Sequence, residues 1–165
     1  MRSLQVPYFK QDTIYTCGPT ALQMVLAYYG MRQSESTLSE QLKTTSDKGT
    51  SIQHMLEVAR QNDFYVYMNN EATLGEISYL LTTFRAPSII RYLEKEYNED
   101  HYAVVVGLSD NEVLLNDPWH GPETRLSRTE FEKRWTCDEL GKCSKWLMAV
   151  TPEPLPMGRQ YSPSI

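Results

Sequence analysis

Residues 11–22 read QDTIYTCGPTAL and run directly into QMVLAYYG, residues 23–30. Leu22, Val25, Leu26 and Tyr29 recur at helical spacing, and Ala21, Met24 and Tyr28 fill the other faces. A helix that is apolar nearly all round is a buried one. Gly30 suits its C-terminal end, Thr16 its N-cap, and Pro19 is tolerable because it falls in the first turn. The stretch therefore predicts a buried helix with Cys17 in its first turn, and a glutamine, Gln11, on the loop six residues upstream.

A thiol at that position meets the positive end of the helix macrodipole, which favours the thiolate. Gly18 permits close approach of a substrate backbone. The first-turn N–H groups lack helical partners and can donate to a developing oxyanion, with the Gln11 amide as a further donor. The plainer reading is a buried structural cysteine, since free cysteines are among the most buried residues.

A nucleophilic thiolate needs a base, and the chain has three histidines. His54 falls inside a helical pattern beside Met55 and Leu56, which fits a packed or helix-face residue. His120 sits in the turn-like DPWHG and reads as solvent-facing. His101 differs because it opens HYAVVVG, a strongly β-forming run. The next run, EVLLND, follows the turn SDN and ends at Asp117. Strands joined by so short a turn are antiparallel, so the start of the first lies near the end of the second. His101 and Asp117 are thus expected at one edge of a hairpin, where a carboxylate can fix the imidazole tautomer and stabilise its charged form. The loop length leaves open whether both face the same side.

Around these motifs the chain begins helix-rich. A short helix is expected near residues 36–43, an amphipathic one in GTSIQHMLEVARQND, a strand in FYVYM and another helix in TLGEISYLLTTF. From residue 86 the pattern turns to β, with APSIIRYLEK, HYAVVVGLSD, EVLLNDP and finally KWLMAVTP. SRTEFEKRW has the Ser-x-x-Glu form of a capped helix starting at Ser127. Helices first and antiparallel strands after them make an α+β plan. The last fifteen residues hold four of the nine prolines. Residues 1–151 are therefore expected to form the domain and 152–165 an extended or mobile tail.

Together, QDTIYTCGPTAL, HYAVVV and NDP resemble the C39 peptidases and C39-like domains of the papain-like cysteine protease superfamily. The likeness runs from about Val6 to Thr151, with GTSIQHMLEVA matching the family's second helix. It implies a helical half packed on a twisted antiparallel sheet, with a cleft between them. It also implies Cys17 as nucleophile, His101 as base and acid, Asp117 as the residue orienting His101, and Gln11 in the oxyanion hole. Well-known members are N-terminal domains of peptide-exporting ABC transporters and cut leader peptides after a double glycine. This sequence carries no P-loop pattern and no transporter spans, so it resembles the stand-alone C39-like proteins, with Gly-Gly specificity an open option.

The expected activity is peptide-bond hydrolysis through a thioester. The alternatives are an acyl or peptidyl transferase, a deconjugating protease acting on a ubiquitin-like Gly-Gly terminus, and a non-catalytic peptide-binding module. The expected partner is a peptide or protein, and the oligomeric state stays open. A net charge of −5 with no lysine/arginine run argues against nucleic acid. No apolar run reaches the roughly eighteen residues of a membrane span, and no cysteine–histidine spacing suits zinc. No metal or cofactor is therefore expected. Three cysteines and no signal-peptide apolar region point to a reducing cytoplasm, although leaderless export leaves the same trace. In that compartment Cys137 and Cys143 are expected as free thiols, and as a disulfide if the protein is exported. Trp119 and His120 can wall the cleft. LEKEYNED reads as a solvated charged turn, with a substrate-facing acidic loop as the alternative.

Overall fold

The structure is a computed structural model in which residues 3–137 and 143–164 are described. The helix-rich half holds α1 (Cys17–Tyr28), α2 (Glu35–Gln41), α3 (Ile52–Gln61), β1 (Tyr65–Asn69) and α4 (Leu74–Thr83). The β-rich half holds β2 (Ser88–Leu93), β3 (Asp100–Leu108), β4 (Glu112–Asp117), β5 (Gly121–Ser127), α5 (Arg128–Arg134), β6 (Leu147–Thr151) and β7 (Gln160–Tyr161). The strands form one antiparallel sheet in the order β5-β4-β3-β2-β6-β1-β7. The expected α+β plan is the one observed.

Residue chemistry explains where each piece sits. β2 and β3 lie inside the sheet and are buried along nearly their whole length, as uninterrupted Ile and Val runs require. The helix α1 packs across β3, and α4 packs on β3 and β2. Ser34, Ser51, Thr73 and Ser127 each accept a hydrogen bond from the backbone N–H three residues on, starting α2 to α5. Each such cap stabilises its helix by about 1 kcal/mol. Gly30 follows α1 at φ +88°, a conformation that favours glycine.

Several expectations change. Thr16 stands at the N-cap of α1 without capping it, because its hydroxyl is engaged with Thr13. β5, over which no strand is expected, is an edge strand with Leu126 its one buried residue. The C-terminal segment returns to the sheet: Gln160 and Tyr161 pair with β1, Leu155 is buried, and Arg60 Nε donates to the Ser162 carbonyl at 2.7 Å. Cys137 and Cys143, expected as free thiols, are joined by a disulfide with their Cα atoms 5.4 Å apart. Residues 138–142 between them lie outside the described residues. Among the described residues no helix is long and apolar enough to cross a membrane.

Gly18 serves packing rather than substrate approach. It is buried, and a Cβ there would lie 2.8 Å from both Cβ and Oγ1 of Thr50. Thr50 has little room to yield, since its hydroxyl is 2.7 Å from that of Thr44 and its carbonyl accepts from Tyr102. Gly18→Ala is expected to destabilise the fold by about 1–3 kcal/mol, the usual cost of overpacking a well-filled site. Urea unfolding followed by tryptophan fluorescence measures it.

Candidate active site

The hairpin register settles which way the polar residues point. β3 and β4 pair with Val104 opposite Asn116. Extending that register by one residue puts Asp117 beside Ala103, and His101 lies two residues further back on the same face. On the other flank of β3, His101 is the direct partner of Tyr92 on β2. Three polar side chains from three adjacent strands therefore converge on one face.

Asp117 is fully buried and holds four donors. Its Oδ1 is 2.7 Å from His101 Nε2 and accepts the Trp119 and His120 N–H groups at 2.9 and 3.0 Å. Its Oδ2 accepts from the Tyr92 hydroxyl. Burial alone would raise the Asp117 pKa, but the His101 bond and charge, the Tyr92 bond and the His120 N–H outweigh it and hold the carboxyl below its usual value. Burial and the Asp117 charge push the Tyr92 phenol up, so Tyr92 stays a donor.

With Nε2 committed to Asp117, Nδ1 is the ring nitrogen left for Cys17. Burial alone would lower the His101 pKa. The negative charge of Cys17, the hydrogen bonds to Asp117 and Cys17 and the Asp117 charge oppose it, and His101 is pushed up to about 10. The imidazolium is the favoured form of this ring. Cys17 itself is half-buried at the first residue of α1, the one free cysteine among the described residues.

Gln11 is held on the loop before α1. Its N–H donates to the Pro118 carbonyl at 3.0 Å, which ties it to the residue after Asp117. Its Nε2 donates to the Thr13 carbonyl at 2.6 Å. Its Oε1 is buried without a hydrogen-bond partner among the described residues.

These groups open into a cleft of about 430 Å³. Gln11, Cys17 and His101 line it, Ile14, Tyr97 and Trp119 contribute apolar surface, and Glu94 and Glu99 belong to the opposite wall. LEKEYNED, expected as a solvated turn with a substrate-facing acidic loop as the alternative, lies beside the catalytic candidates. The turn is rigidly held. Glu94 is 4% exposed, accepts from the N–H groups of Glu96, Tyr97 and Glu99, and pairs with His120 Nε2 at 2.9 Å. Burial would raise the Glu94 pKa, but His120 and those N–H groups keep it below the usual carboxylate range. His120, expected in solvent, is instead half-buried between this turn and the His101 ring, 6.3 Å centroid to centroid. His54 stays on α3, away from the cleft lining.

Comparison with known proteins bears on the fold and the family. The peptidase domain of Streptococcus ComA, a bi-functional ABC transporter involved in a quorum-sensing pathway, superposes with a TM-score of 0.74 at 25% identity. That match covers 90% of this chain and all of that domain. A double-glycine-motif protease from an AMS/PCAT transporter, solved with its leader peptide, has the same fold (TM-score 0.70, 21% identity, 92% of this chain and 94% of that one). In sequence, the pediocin PA-1 transport/processing ATP-binding protein PedD of Pediococcus acidilactici is 30% identical over 121 residues, 73% of this chain. The match spans only 16% of PedD. An uncharacterised protein of Methanothermobacter marburgensis is 32% identical over 131 residues, covering 79% of this chain and 84% of its own length. The family model of the Peptidase C39 family matches residues 5–140, and the chain belongs to that family.

Proposed function

We propose that this chain is a cysteine peptidase that hydrolyses a peptide bond through Cys17, His101 and Asp117. The observation that carries the reading is the buried His101–Asp117 pair, with 2.7 Å between Nε2 and Oδ1, opening with Cys17 and Gln11 into one cleft. The Cys17 thiolate attacks the scissile carbonyl, and the oxyanion is taken by the Gln11 side-chain amide and the Cys17 N–H. His101 then gives its proton to the leaving amine, which departs as the thioester forms. Water, deprotonated by His101, attacks the thioester and releases the acid, and the thiolate–imidazolium pair is restored. Asp117 holds the ring throughout and does not take the proton.

The substrate is a peptide, and a segment ending in Gly-Gly is the first to test, because relatives named for transport/processing and for a double-glycine motif share this fold. Acetyl-glycyl-glycine p-nitrophenyl ester is a suitable probe. The expected result is a burst of nitrophenol with one acetyl-glycyl-glycyl group on Cys17, read by intact mass and peptide mapping, followed by turnover to the free acid. Diversion of the product to an added amine would assign a transferase. No acyl-enzyme under any condition would assign a peptide-binding module and overturn the reading.

A further inference from the structure

The loop that carries Gln11 is braced from a residue that the reaction itself does not use. Glu35, the first residue of α2, reaches back across the start of α1. The Asp12 N–H is 3.0 Å from its Oε1 and 3.3 Å from its Oε2. The Gln11 N–H, one peptide away, is fixed by Pro118. The two amides flanking the Gln11 side chain are therefore pinned to two separate elements, the Asp117 loop and α2. Loss of either pin frees the backbone from which the oxyanion donor projects.

The proton count at this brace is informative. Thr20 is fully buried on α1, and its hydroxyl contacts two acceptors, the Thr16 carbonyl at 2.8 Å and Glu35 Oε1. A hydroxyl has one hydrogen. With Glu35 ionised, one of the two contacts becomes an unfavourable meeting of lone pairs. With Glu35 protonated, both are satisfied, because Glu35 donates to Thr20 and Thr20 donates to Thr16.

We propose that Glu35 is a positioning residue for the oxyanion donor, acting as a carboxylic acid that donates to Thr20 and accepts the Asp12 N–H. The surroundings favour the neutral form. Burial pushes the Glu35 pKa up, the Thr20 and Asp12 N–H bonds push it down, and the neighbouring Asp12 carboxyl pushes it up again, with a net rise. Asp12 is the charged group acting on it from the preceding loop, and α1 faces it with the uncharged Thr20. As pH rises through the Glu35 ionisation, the single Thr20 hydrogen can serve only one of Glu35 and the Thr16 carbonyl, the other contact turns repulsive, and the Gln11 loop loosens.

This inference rests on the acyl-transfer reading above, and two reactions of one thiol separate the two. Acylation by acetyl-glycyl-glycine p-nitrophenyl ester develops an oxyanion, and alkylation by iodoacetamide does not. Their rate ratio in the full chain cancels the ionisation of Cys17 and isolates the oxyanion donor. Removing a donor outright costs about 10²–10³-fold in kcat, so loosening one in Glu35→Ala is expected to lower the ratio by about tenfold. Glu35→Gln, which donates to Thr20 at every pH, is expected to restore it. In the parent protein the ratio falls with rising pH, and in Glu35→Gln it stays flat. Carbon-13 titration of the Glu35 carboxyl locates the same transition without any turnover. A Glu35→Ala ratio equal to the parent's overturns the positioning role, and a flat parent profile overturns the protonated form. Failure of the parent to acylate at all, with a raised carboxyl titration intact, indicts the peptidase reading instead.

Discussion

Replacing His101 with alanine is expected to slow alkylation of Cys17 and to lower peptide cleavage by about 10²–10⁴-fold. The argument starts from the ring. His101 holds its proton up to about 10, and the negative charge of Cys17 is the foremost contribution favouring that proton. A charged imidazolium beside a cysteine favours the thiolate, which is the nucleophilic form. An unassisted cysteine titrates near about 8.5 and is only about 1% thiolate at pH 6.5. Loss of the partner removes that charge, so labelling slows. Acyl transfer suffers more, because the leaving amine also loses its proton donor, a contribution of about 10²–10⁴-fold. The check is iodoacetamide labelling against pH, read by peptide mapping, with cleavage of a peptide containing Gly-Gly measured alongside. Labelling at pH 6.5 that ignores His101 would sink the ion pair and leave Cys17 an ordinary thiol.

The positions of Cys17, His101 and Asp117 were legible because each sits at a boundary of a strong local signal. An apolar helix begins at Cys17, a β-branched run follows His101, and a proline stops the strand after Asp117. What surrounds them was not legible. Tyr92 meets Asp117 only because β2 pairs with β3 in a register that places Tyr92 opposite His101. That register is a long-range pairing, which periodicity within one strand does not encode. Gly18 was read through its neighbour in sequence, Cys17, when its decisive neighbour is Thr50, thirty-two residues away.

The same distinction explains the acidic turn. By composition, LEKEYNED is a solvated loop. Its fate is decided by Arg134 of α5, whose guanidinium donates to the Leu93 and Glu94 carbonyls and to Asn98 Oδ1. Together with Glu94 and His120 it turns a charged loop into a fixed cleft wall. Edge strands fail for a related reason. β5 and β7 bury little and so carry no apolar alternation to read.

Asp117 offers the sharpest separation of structure from chemistry. Asp117→Ala is expected to cost about 3–5 kcal/mol, the range for removing one member of a buried, hydrogen-bonded charge pair. It strands His101 Nε2, the Tyr92 hydroxyl and two backbone N–H groups at a fully buried position. Asp117→Asn keeps an oxygen for His101 and the two N–H groups, and the Tyr92 hydroxyl can rotate to accept from the new amide. This variant should fold, and its deficit should be electrostatic. The signs follow from the two titrations. Asp117 has a lowered folded pKa, so its contribution to stability is present above about 3.8 and fades as pH falls through the folded value. His101 has a raised one, so its contribution is full below 6.5 and fades as pH rises through about 10. In Asp117→Asn the acid-side dependence disappears. The alkaline limb of acyl transfer then moves down by about one to three pH units, the usual effect of an opposing charge at this range. Urea midpoints across pH and the pH profile of cleavage of a peptide containing Gly-Gly measure both. An alkaline limb that does not move would mean that Asp117 orients the ring without holding its proton.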